Sequence, residues 1–340
     1  MKRKAFTLVL LPIFWATLTT NGQNFVALHS ATGVTHHGGT LGFKNAYTAA
    51  NAGDTIYLPG GQFIAPDSLA KTVYVIGVGH YPNFTQATQR TYVTGELKIN
   101  PGAQNSYFEG IHFAHAVTFK SGQSINNVMF RRCRIDGAIS FAGNRTNPSL
   151  NTQFIQCVIA GVDFWLNGNN SLDMVMSNCI VSFYGFSNLN SALIANNVFI
   201  RTQGWLVNNG SNSIYRNNII RNDFFWSGSG NLITKNVFFV NQGAPGNNNF
   251  FENFLSVALT DFFESYNSSI QFSYDFDFHL KNPQNFVGTD GNQVGIYGGL
   301  YPFKDGSVPF TPHVISKSIS TSIDANGKVQ VQIQVAAQDE

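Results

Sequence analysis

The chain has 340 residues, a formal net charge of +2 and only 11% charged side chains. Such a length allows one large domain or two ordinary ones, and a weak charge without any internal basic run argues against nucleic acid as a partner. The one basic cluster, MKRK, opens the chain and is followed by the apolar run AFTLVLLPIFWATL and the polar stretch TTNGQ. A basic start, a short apolar run and a polar exit form the layout of a secretory signal peptide. Pro12 interrupts the run, which falls short of the ~20 apolar residues of a membrane-spanning helix. Residues 1–22 are therefore read as a leader, with Gly22 the last residue removed. The mature chain is expected to be secreted or held at the cell surface, with no transmembrane segment of its own.

Further on, TIYLPGGQF, TVYVIGVG and TYVTGELKI read as strands of irregular first coils. From Phe108 a pattern repeats: an apolar residue, two variable ones, a key residue, one variable residue and another apolar one. The key step holds Ile111, then Cys133 in FRRCRI, Cys157 in FIQCVI and Cys179 in MSNCIV, and afterwards Asn197, Asn218, Asn236 and Asn253. The mean spacing of about 20 residues, with short β-rich segments and Asn/Gly turns, is the signature of a solenoid. Leucine is too sparse for leucine-rich repeats, while Phe, Ile, Val and Met suit strands. No apolar period of 3.6 is sustained, so helices are few. The fold class read from the repeat is all-β, a parallel β-helix.

In such a coil the key side chain points inward at a turn and meets its equivalents above and below. Stacked Asn amides can satisfy one another and the turn backbone. Cysteine is small and soft enough to occupy the same slot. Three thiols in a vertical file point in parallel and do not converge on a tetrahedral centre, so neither a metal site nor a disulfide is expected, and no cofactor.

The segment AYTAANAGDTIYLPGGQF, together with VYVIGVG and NSYFEGIHF, resembles the opening coils of secreted right-handed β-helix proteins of the pectin-lyase-like superfamily. GTDGNQVGIYGGLYPF is similar to the closing segment of uncharacterised right-handed β-helix proteins exported by Bacteroidetes-type bacteria. The resemblance covers most of residues 40–303 and implies an architecture more than an activity. Pectate lyases of this superfamily carry an Arg-x-Pro-x-x-Arg stretch, absent here. Its polygalacturonase-like hydrolases use an Asp-Asp pair with Gly-His-Gly and Arg-Ile-Lys. This chain has no Asp-Asp, and RID at residues 134–136 echoes the last only in part.

Candidate site residues are correspondingly sparse. Glycoside hydrolysis needs two carboxyl groups about 5–9.5 Å apart, whereas Asp136, Asp163 and Asp223 fall on separate coils. Lys120, Arg132 and Arg134 read as a small outward basic patch able to hold an acidic sugar, and are the first residues to check for catalysis. His36, His37, His112 and His115 lack carboxylate or cysteine neighbours in sequence and read as surface or turn residues. Phe119, Phe141, Trp165, Trp205 and Trp226 each lie eight positions after a key residue, and Phe186 lies seven. Stacked inside, this file is core; outside, Trp165, Trp205 and Trp226 are a platform for sugar rings. Both readings stand at this level.

After a Pro-spaced linker, VISKSISTSI and VQVQIQV alternate strictly around DANGK, which predicts a β-hairpin. A lone hairpin is marginal, so it must pack on the solenoid or on a protein partner. The chain is thus divided into a leader (1–22), a β-helix (23–303) and a linker with hairpin (304–340). The expected function is non-catalytic binding of a polysaccharide or cell-surface glycan, or a structural role at the cell exterior. A polysaccharide lyase or glycoside hydrolase is the alternative.

Overall fold

Strands of only two or three residues recur in every coil, each pairing in parallel with its equivalent in the next coil. One long sheet runs through Tyr107–Glu109, Met129–Arg131, Gln153–Ile155, Val175–Ser177, Leu193–Ala195, Ile214–Arg216, Leu232–Thr234 and Asn249–Phe251. A second runs through His112–Phe113, Arg134–Ile135, Val158–Ile159, Ile180–Val181, Val198–Phe199, Ile219–Ile220 and Val237–Phe238. A third joins Leu97–Ile99, Val117–Phe119, Ile139–Phe141 and Phe164–Trp165. The fold is a parallel β-helix of about eight turns. This computed structural model describes residues 24–120, 124–141, 147–161, 164–165, 171–182, 185–201, 206–221, 228–243, 246–265 and 272–337. The expected leader, residues 1–22, lies outside them, as do Asp163 and Asp223. No helix among the described residues is long and apolar enough to cross a membrane.

The key step is where the sequence places it, and Ile111, Cys133, Cys157, Cys179, Asn197, Asn218 and Asn236 are completely buried. The amides form a ladder: the backbone N–H of Cys179, Asn197, Asn218 and Asn236 each donates to the side-chain Oδ1 of the next Asn, at 2.9–3.0 Å. In the cysteine rungs the thiols of Cys133, Cys157 and Cys179 donate to the carbonyls of Phe108, Phe130 and Phe154 at 3.3–3.5 Å. All three cysteines are free. Above them Phe108, Phe130 and Phe154 stack at 4.9 and 5.4 Å.

The aromatic file divides. Phe119 and Phe141 stack inside at 4.3 Å, and Phe186 is buried. The backbone of Trp165 pairs in register with Ser140. Trp205 and Trp226 lie outside the described residues. The helix Gly42–Ala49 is absent from the sequence reading. It buries Phe43, Ala46 and Tyr47 over the first coil, and the Tyr47 hydroxyl accepts the Ala70 N–H at 2.6 Å. A solenoid end needs such a cap, since its terminal coil otherwise leaves the interior open to water.

The second sheet is buried on both faces. Its inner column is Ile135, Ile159, Val181, Phe199, Ile220 and Phe238. Its outer column of Val158, Ile180, Val198, Ile219 and Val237 packs under Phe262, Phe278, Val294, Ile296 and Phe303. Covering both faces explains why the short strands from Val158–Ile159 to Val237–Phe238 are apolar throughout. Phe262 and Phe278 supply part of the cover, and the rest comes from residues 286–310, which double back along the solenoid as a strap. Thr289 and Gly295 meet Asn217, Ile296 and Gly298 meet Asn178, Tyr301 and Pro302 meet Gln156, and Pro309 meets Gly110. The Pro-spaced stretch is therefore no free tether, and Ser307 and Val308 are buried.

Beyond the strap, His313–Ile323 and Val329–Ala336 form the expected antiparallel hairpin. Gly327 has φ +72°, and Asp324 Oδ1 accepts the N–H of Asn326 and of Lys328, both at 2.8 Å. Of the two expected covers, the solenoid or a protein partner, the solenoid does not supply one, since Ile319, Ile323, Val331 and Ile333 are all exposed. Only its base is seated, where Pro312 and His313 share a hollow with Phe25, Ala27 and Tyr57.

Candidate functional site

Between the long sheet and the second sheet every coil turns through one residue in the left-handed region: Gly110, Arg132, Gln156, Asn178, Asn196, Asn217, Lys235 and Glu252, with φ from +52° to +66°. Asn tolerates this conformation best among residues with side chains. At Arg132 and Gln156 side-chain bonds hold it instead: Arg132 Nε donates to Gln156 Oε1 at 2.8 Å, and Gln156 Nε2 donates to the strap carbonyls of Tyr301 and Pro302. Gly110 is required by proximity, because a Cβ there would come within 2.5 Å of Pro309. The strap thus closes over a file of turns and leaves two hollows along its edge.

The first is a cleft of about 220 Å³ where residues 274–279 and 297–306 meet Tyr81 and Phe84. Its rings include Tyr81, Phe84, Tyr274, Phe276 and Tyr297, and its carboxylates are Asp275, Asp277 and Asp305. His279 stacks on Tyr297 at 3.7 Å and 11°, and its Nδ1 bonds Asp277 at 2.7 Å. The Tyr297 hydroxyl donates to Asp305 at 2.7 Å. Burial alone would raise the Asp277 pKa, but the backbone and ring N–H groups of His279 bring it below the usual carboxylate range.

Behind Tyr81 and Tyr274 lies a buried polar cluster. In the outer column of the second sheet, His112 and Arg134 occupy the places that later coils give to Val158 and Ile180. His112 Nε2 lies 2.6 Å from Asp136 Oδ2, and Arg134 Nε donates to Asp136 Oδ1 at 2.7 Å. Burial opposes ionisation of Asp136, yet the bonds from His112 and Arg134 prevail and hold its pKa at about 2. Burial lowers the His112 pKa, so the neutral ring donates through Nε2 and Nδ1 carries the bare lone pair. His80 is completely buried against Tyr81 and Tyr274, at 4.8 and 5.9 Å between centroids, and neither ring nitrogen has a partner among the described residues.

The second hollow, about 530 Å³, lies between the Arg131–Arg132 turn and the strap. Arg131, Gln156, Leu300, Tyr301, Pro302, Phe303, Lys304 and Phe310 line it. Arg132 sits behind Phe310, its guanidinium 3.7 Å from the ring centroid, and Nη1 donates to Glu109 at 2.5 Å.

These positions correct the sequence reading at several points. Arg132 does not face outward; it is wholly buried beneath the strap. Lys120 is exposed at the end of the third-sheet strand Val117–Phe119, and Arg134 belongs to the second sheet, so the three cations form no common patch. His36 and His115 are surface residues as expected, but His112 has the carboxylate neighbour that its sequence lacked. The missed cluster left one trace, the replacement of Val or Ile by His112 and Arg134 in an otherwise apolar column. Among the described residues no group of three or more His, Cys, Asp or Glu side chains is placed to hold a metal.

The chain matches no family model, no curated protein and no solved structure. Its likeness to other β-helix proteins is one of architecture.

Proposed function

We propose that this protein is an exported β-helix of the pectin-lyase-like, Bacteroidetes type that binds a glycan at the cell exterior without cleaving it. The cleft beside Tyr297 carries the reading. Aromatic rings pack against the C–H faces of sugars, and ionised carboxylates beside them accept sugar hydroxyls. A general acid needs a carboxyl kept protonated near neutral pH. Asp277 and Asp136 are driven the opposite way by His279, and by His112 and Arg134. The hairpin, with its apolar row facing water, serves in this reading as the contact for another protein on the surface.

The carbohydrate-active alternative has one observation in its favour. Burial, and then the charge of Arg132, push the Lys304 pKa down to about 8, within reach of a lyase base. The test is a panel of neutral and acidic polysaccharides run for binding and, in parallel, for unsaturated product and reducing ends. Binding without product is expected, weakened at least ten-fold by Tyr297→Ala and by Asp277→Asn with little change in melting temperature. No binding to any glycan, or binding indifferent to both substitutions, would remove the proposal. Turnover lost in Lys304→Met would establish the lyase.

A further inference from the structure

The hollow at Arg131 differs in chemistry from the cleft. Three cations surround the Phe310 ring, with Arg131, Arg132 and Lys304 at 5.1, 3.7 and 4.0 Å from its centroid. Glu109 is the carboxylate bonded among them. Arg131 Nε, Arg132 Nη2 and Lys304 Nζ are shielded from water and have no acceptor among the described residues. A buried donor without an acceptor is costly, and a charged one more so. Arg131 and Lys304 line the hollow and Arg132 stands behind Phe310, and together they mark a place where an anion would be held by charge-assisted hydrogen bonds. The remaining wall is apolar: Leu300, Tyr301, Pro302, Phe303 and Phe310. Gln156, committed to the strap carbonyls, keeps that wall in place. A volume of about 530 Å³ falls in the range of small-molecule sites.

We propose that this cavity binds an organic anion with an apolar body. Its carboxylate or sulfonate head contacts Lys304 and Arg131, Arg132 adds positive charge from behind Phe310, and its hydrocarbon part lies on Phe310, Tyr301 and Leu300. The assignment is independent of the glycan reading, which concerns the cleft at Tyr297.

A consequence in pH follows from the groups that face Lys304. Burial and Arg132 lower its pKa to about 8, Glu109 opposes them, and Arg131 adds to them. Tyr107 stands beside Glu109 and Arg131 and remains un-ionised, because burial and then Glu109 raise its pKa. An anion in the cavity favours protonated Lys304, so affinity is full below pH 8 and declines as pH rises above it.

The probe is 8-anilinonaphthalene-1-sulfonate, an aromatic sulfonate whose fluorescence rises on transfer from water, titrated into the whole mature protein at pH 7. One saturable site is expected, with the probe displaced by decanoate and not by the uncharged decanol. Lys304→Met and Arg131→Gln should each weaken binding at least ten-fold. The Lys304→Met protein should melt no lower than the wild type, because it loses an uncompensated cation. Wild-type affinity should fall between pH 7.5 and 9.5, and that fall should vanish in Lys304→Met. Ile319→Asn, on the exposed hairpin, should leave binding intact. Equal displacement by decanol, wild-type binding in both cation variants, or loss of binding in Ile319→Asn would each overturn the proposal.

Discussion

Replacing Asn218 with alanine removes the centre of the amide ladder. Its Oδ1 accepts the Asn197 backbone N–H at 2.9 Å and the Asn197 side-chain amide at 3.0 Å. Its Nδ2 donates to the Ile194 carbonyl at 2.8 Å and to Asn236 Oδ1 at 2.9 Å. Alanine leaves the buried Asn197 N–H without that acceptor, a cost of about 1–3 kcal/mol, and deletes three further bonds worth about 1 kcal/mol each. The Asn197 amide keeps its bond to the Met176 carbonyl, which limits the damage there. The expected loss is about 3–5 kcal/mol. Asn253→Ala, at the partly exposed end of the ladder, breaks bonds to Asn236 and Ile233 where water can replace them, and should cost less. Asn218→Cys should fall between wild type and Asn218→Ala, because Cys179 Sγ already accepts the Cys157 N–H at 3.4 Å in an equivalent rung. Urea denaturation of the four proteins, followed by circular dichroism, orders them by midpoint. An Asn218→Ala protein within about 1 kcal/mol of wild type, or one more stable than Asn253→Ala, would refute the ladder as a source of stability.

Two further outcomes are expected. Burial, then the neighbouring His112 and the cations Arg134 and Arg90, hold the His80 pKa well below 6.5, with Asp136 opposing. The unfolded chain therefore takes up a proton below pH 6.5 that the folded one refuses. Stability present above that pH is lost as pH falls, at up to about 1.4 kcal/mol per unit. Melting temperatures at pH 7.5, 6 and 5 should drop more steeply for the wild type than for His80→Phe; parallel curves would exclude His80 as the cause. The three thiols are buried, and burial first, then their stacked neighbours, raises those of Cys133 and Cys179. A thiol reagent should label none in the folded protein and all three in urea, and a rapid native reaction would contradict the inward file.

The solenoid and its inward file are legible in the amino-acid sequence alone. Period, turn residues and the alternation of a two- or three-residue strand are local properties. Each coil repeats them, and stacking leaves Cys133 or Asn218 no environment other than the one its neighbours above and below create. The hairpin was legible for the same reason, since alternation around DANGK is complete within one stretch of chain. The Gly42–Ala49 helix was not, because eight residues are too few to display a 3.6-residue period against the background. Only the tertiary structure decided the sites. Asp136 meets His112 across one coil, 24 positions away in sequence, and a spacing that varies from coil to coil hides such pairs. The sequence places Arg132 at a turn and suggests an outward side chain, yet it is buried because Phe310 returns to cover it from the far end of the solenoid. The strap obeys no repeat. Its path is fixed by hydrogen bonds to Asn217, Asn178 and Gln156 and by the apolar outer column of the second sheet, which is complementary to it only once every coil is stacked.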